Sequence, residues 1–71
     1  MEKITINTPN IQLDQLLKWA GIVESGGQVK LMLEEGIIQL NQVLVTERRK
    51  KIHPGDVITI EGLGSWQVTA E

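Results

Sequence analysis

Hydrophobic positions change period along this chain, and the changes mark its elements. Ile4 and Ile6 alternate with polar residues and predict a short first strand, closed by the breaker Thr8-Pro9-Asn10. From Leu13 the spacing lengthens: Leu13, Leu16, Leu17 and Ala20 fall at i, i+3, i+4 and i+7, one face of a helix near residues 11–20. Gly21 stands where a left-handed C-terminal cap is expected. Ser25-Gly26-Gly27-Gln28 reads as a capping box, with Ser25 accepting from the amide three residues on and Gln28 reaching back. A second helix follows, burying Val29, Met32 and Leu33 and ending at Gly36.

Beyond Gly36 the period is that of strands. Ile38 and Leu40 alternate with Gln39, Asn41-Gln42 is a turn, and Val43 and Val45 alternate on the return. His53-Pro54-Gly55-Asp56 predicts a type II turn, because proline presets the second position and glycine supplies the positive φ of the third. Ile58 and Ile60 mark the next strand, Gly62 to Ser65 turn the chain, and Trp66 and Val68 mark the last, with Trp66 expected in the core. The expectation is an α+β fold: two N-terminal helices packed on a small, mostly antiparallel sheet that the first strand joins.

Length limits what such a fold can do. A chain of 71 residues makes one domain, 1–71, that buries only about 60% of its unfolded surface, leaving little room for a deep cleft. There is no cysteine, so disulfides and thiolate metal sites are excluded. No apolar run approaches the ~20 residues of a membrane helix, and the N-terminus lacks a basic-then-apolar leader, so a cytoplasmic protein without membrane contact is expected. His53 is the only histidine and sits on a turn, Glu34 and Glu35 point to different helix faces, and no phosphate-binding glycine motif occurs. Neither an enzyme nor a cofactor or metal site is expected.

Charge is the feature that points to a partner. The net charge is −2, of which +4 lies in Arg48-Arg49-Lys50-Lys51, leaving −6 on the rest of the chain. Four cations without an interleaved acid exceed what solubility requires. The arginines are suited to bidentate phosphate contacts and the lysines to point-charge contacts. The N-terminus of the second helix is another candidate: Ser25, Gly26 and Gly27 offer amides that a phosphate can approach, with Lys30 one turn in, although the same residues also read as a plain capped turn beside Glu24. Asn41 and Gln42 read either as amides free to hydrogen-bond a partner from a hairpin tip or as ordinary turn residues. Trp19 lies about 110° from the centre of the first helix's apolar face at ~100° per residue, so it reads as a base-stacking plane or, more commonly, as a side chain half-buried against a neighbouring strand.

Leu13-Asp14 with Leu17, then Gly21, Ser25, Gly36, Ile38-Gln39-Leu40-Asn41 and Gly55-Asp56-Val57-Ile58 resemble the pattern of the S-four (S4) RNA-binding domain, the alpha-L motif. The likeness runs from about Ile11 to Ile60. Glu24 to Gln28 and Glu61 to Ser65 further resemble its stand-alone bacterial YaaA/YbcJ type. The resemblance implies a helix-helix-hairpin unit that binds structured RNA through the second helix and adjoining loops: ribosomal RNA foremost, on ribosomal particles during assembly, and transfer RNA next; a monomer is expected. Where the family often carries arginine, this chain has Gln12, Gly26 and Gly27. Two other readings stay open. The segment 41–60 also looks like the end of a β-grasp sulfur carrier, though the chain ends Val68-Thr69-Ala70-Glu71 rather than in paired glycines. A protein-interaction module with an acidic face for a basic ribosomal protein is the other.

Overall fold

The computed structural model describes residues 1–71. In chain order the elements are β1 (Glu2–Ile6), β2 (Ile11–Gln12), α1 (Leu13–Trp19), α2 (Gly26–Glu34), β3 (Ile38–Leu40), β4 (Val43–Leu44), β5 (Lys51–Ile52), β6 (Val57–Ile60) and β7 (Gly64–Ala70). The class is α+β as expected, but the helices are not N-terminal. They follow β1 and β2, and the main sheet is mixed, with order β1-β7-β6-β3-β4. β1 joins it parallel to β7, pairing Ile4 with Val68 and Ile6 with Ala70, while the other pairings are antiparallel.

One core of thirteen apolar residues holds both layers together, and no polar residue is buried. The face Leu13, Leu16, Leu17 of α1 and Val29 of α2 pack against Ile4, Ile6, Ile38, Ile58, Ile60 and Val68 from the sheet. Met32 and Leu33 are partly buried beside them. Both helices end as the glycines predict. At α1 the Gly21 amide donates to Lys18 O and the Ile22 amide to Leu17 O, with Gly21 at φ 75, the left-handed geometry that satisfies the last carbonyls of a helix.

Four expectations are corrected. Residues 11 and 12 are not helical: they pair with Lys51–Ile52 in a separate two-stranded ladder, Ile11 opposite Ile52 and Gln12 opposite Lys51. The capping box is half made, since Gln28 Oε1 accepts from the Glu24 amide but the Ser25 side chain caps nothing. Val43 and Val45 do not share a face, because β4 stops at Leu44; Val43 is exposed and Val45 buried. Trp66 is only partly buried, its indole N–H donating to Glu2 Oε2 at 2.8 Å across the β1–β7 pair.

The Asn41-Gln42 and His53–Asp56 turns form, whereas the turn expected over Gly62 to Ser65 is shorter, because β7 begins at Gly64. Asn41 and Gln42 have φ 51 and 71, the paired positive angles of a two-residue type I′ hairpin. Gly55 has φ 98, and the Asp56 amide donates to His53 O at 3.0 Å.

Candidate nucleic-acid interface

The basic segment is fastened to the first helix by its own backbone. A helix leaves its first amides without internal partners, and Gln12, the residue before α1, provides no side-chain cap. Here the Leu13 amide donates to Lys50 O at 2.8 Å and the Asp14 amide to Arg48 O at 3.1 Å. The loop is further tightened by Lys50 N–H to Glu47 O at 3.3 Å, and it is flanked by buried Val45 and Ile52. With the carbonyls turned to α1, all four cations are exposed. Arg48 also lies against Asp14, Nε to Oδ2 at 3.8 Å, a surface pair of the kind worth about 0–1 kcal/mol.

Two shallow grooves border this loop. On one side, Lys30 of α2 and Arg48 line a groove of about 470 Å³ with Thr46, Leu33 and Glu34. On the other, Lys50 and Asn41 line a groove of about 360 Å³ with Thr46, Glu47 and apolar residues of β3 and β4. The fold thus brings Lys30 beside Arg48, 18 positions away in sequence, and Lys50 beside Asn41 of the hairpin, while Arg49 and Lys51 line neither groove.

Ser25, Gly26 and Gly27 open α2 but line neither groove. The space beside Gly26 is open: a Cβ there would meet nothing within 4 Å. Trp19 is 66% exposed rather than half-buried, and its indole N–H is 3.4 Å from Thr5 O on β1. Gln42 is exposed at the hairpin tip.

Asn41 has a role that the sequence alone did not show. Its Nδ2 donates to Asp56 Oδ1 at 3.0 Å, and its Oδ1 accepts from the Val57 amide at 2.9 Å. Asp56 Oδ2 accepts in turn from the His53 amide at 2.7 Å. Both ends of the Asn41 carboxamide are therefore engaged in pinning the hairpin tip to the 53–56 turn. The pairing of an Asn at a hairpin turn with a Pro-Gly-Asp turn further on is the one signal for it.

There is no cluster of three or more histidine, cysteine or acidic side chains able to hold a metal ion. No helix is long and apolar enough to cross a membrane.

The S4 domain model matches residues 4–69. A Bacillus subtilis (strain 168) protein named "Probable ribosome maturation protein RlbA" is 43% identical over 65 residues, 92% of either chain. An Escherichia coli (strain K12) protein named "Putative RNA-binding protein YbcJ" is 35% identical over 54 residues, 76% of this chain and 77% of its own. With the family pattern spanning both helices, the hairpin and all but the ends of the sheet, the chain belongs to the S4 domain family.

Proposed function

We propose that this protein binds structured RNA without catalysing a reaction, and that its target is ribosomal RNA in a maturing ribosomal particle. The observation that carries the reading is the anchored loop: Arg48 O and Lys50 O are held by the first amides of α1, so four exposed cations are displayed from a fixed backbone beside Lys30. Fixing the backbone in advance lowers the ordering cost of each phosphate contact. The names of the two relatives, one for ribosome maturation and one for RNA binding, support the same direction. Lys30, Arg48, Arg49, Lys50 and Lys51 hold phosphates, the amides at Gly26 and Gly27 donate to a further phosphate, and Gln42 reaches RNA from the hairpin tip.

The test is binding to ribosomal RNA stripped of protein, with transfer RNA in parallel, comparing the wild type with Arg48, Arg49, Lys50 and Lys51 all changed to alanine. Four to six neutralised phosphates give a log affinity that falls with log salt at a slope of about −3 to −4. The quadruple variant loses most of both affinity and slope. Retained binding by that variant, or a flat salt response of the wild type, refutes the assignment. Failure of either protein to bind ribosomal RNA favours a protein partner instead.

A further inference from the structure

We infer that the cleft between Trp19 and the 7–10 loop is a binding site for one unpaired nucleobase, separate from the phosphate-holding loop. This inference rests on the RNA-binding reading above and adds a base contact to it. The cleft measures about 180 Å³ and is lined by Trp19, Gln15, Asn7, Asn10, Ile11 and Ile6. That is well below the ~300–1,000 Å³ of pockets for larger ligands, a size suited to a single planar ring system.

Its chemistry distinguishes a base from a phosphate. No charged residue lines it, so nothing there attracts an anion. Three carboxamides do line it, and each both donates and accepts hydrogen bonds, as base edges require. Trp19 supplies the aromatic plane. With the indole N–H directed at Thr5 O and two-thirds of the residue in solvent, the ring is oriented by the fold while it stays accessible for stacking.

Position links the cleft to the basic loop. Ile11 of the cleft stands opposite Ile52, and the next residue, Gln12, stands opposite Lys51. The β2–β5 ladder thus ties the segment that carries the cations to one wall of the cleft. Such an arrangement favours RNA with an unstacked nucleotide beside a duplex, a bulge or loop edge, over continuous duplex, whose bases are not available for stacking.

The experiment uses the full chain carrying Trp66→Phe, so that emission reports Trp19 alone, and affinities of all variants are read from the anisotropy of fluorescein-labelled probes. The probes are a single-stranded adenosine hexanucleotide and a blunt RNA duplex, each titrated against this protein, its Trp19→Ala and Trp19→Phe variants, and the four-cation alanine variant. The hexanucleotide is expected to quench Trp19 emission. Trp19→Ala is expected to weaken hexanucleotide binding about tenfold, with Trp19→Phe retaining most of the affinity and duplex binding changing by less than about twofold. Equal weakening of both probes by Trp19→Ala, no effect on either, or absence of quenching overturns the base site. If the four-cation variant loses both probes while Trp19→Ala keeps both, the phosphate reading stands and the cleft falls. If the four-cation variant keeps both, the phosphate reading falls and a selective Trp19→Ala loss still supports the cleft.

Discussion

The bridge from Asn41 to Asp56 gives a sharp test of what fixes the hairpin beside the basic loop. Replacing Asp56 with alanine removes two hydrogen bonds to a carboxylate, from Asn41 Nδ2 at 3.0 Å and from the His53 amide at 2.7 Å. Bonds to charged groups contribute about 1.5–3 kcal/mol each, and the side chain's 21% exposure lets water replace part of that. A total loss of about 2–4 kcal/mol is expected, against a stability of about 4–11 kcal/mol for a domain of this length. At roughly 4–8 °C per kcal/mol, the melting temperature falls by about 8–32 °C. Chemical denaturation of the wild type, Asp56→Ala, Asn41→Ala and the double variant isolates the shared bond. Asn41→Ala also places alanine at φ 51, a strain of about 1–2 kcal/mol, but that strain occurs in both variants carrying it and cancels from the cycle. The expected coupling is about 1–2 kcal/mol. Additivity within about 0.5 kcal/mol would refute the claim that the two side chains act as one unit.

Two further substitutions probe the interface. Gly26→Arg places a cation where the family often has one, in space that is open; it also improves helix propensity by roughly 0.5–1 kcal/mol. Ribosomal RNA titrations over a salt series should show tighter binding and a slope steeper by about 0.7–0.9, with no loss of melting temperature. Glu34→Gln removes the carboxylate that shares a groove with Lys30 and Arg48. Affinity at low salt should rise about twofold and the gain should fade as salt shortens the Debye length, whereas lower affinity would mean that Glu34 itself contacts the RNA.

Local chemistry made part of this molecule legible and long-range pairing hid the rest. Gly21, Gly36, Asn41-Gln42 and Gly55 each occupy the positive-φ geometry that their neighbours imply, because a turn or a helix end is decided within a few residues. The apolar face of α1 was equally plain. The β2–β5 ladder was not, since two strands of two residues carry no period, and a lone Ile11 ahead of Leu13 reads as the start of the helix. Only the isolated Ile52, apolar between four cations and a turn, hints that the chain there is pinned to something. The angle of Trp19 on the helix favours a half-buried side chain, but the residue is 66% exposed, reaching β1 only through its indole N–H to the Thr5 carbonyl. Of the interface, the cations were legible as a run. Their anchoring, and the groove joining Arg48 to Lys30, depend on contacts between residues far apart in sequence.

The same anchoring explains how a chain of net charge −2 presents a basic surface at all. The molecule extends 31 × 21 × 18 Å, several times the Debye length of about 8 Å in physiological salt, so acids at a distance are screened from a phosphate at residues 48–51. The relevant acids are those bordering the grooves: Glu34 on one side, Glu47 on the other, and Asp14 against Arg48. They leave the outward faces of Arg49, Lys50 and Lys51 as the least opposed positive surface. A mobile loop with this composition would have its cations pulled toward those three carboxylates. Here the carbonyls of Arg48 and Lys50 hold the backbone against α1, so the acids act as a fixed rim around the cations. On the proposed RNA-binding reading, the placement of both signs of charge sets the orientation of the ligand, which is a stricter requirement than affinity and one that a uniformly basic surface does not impose.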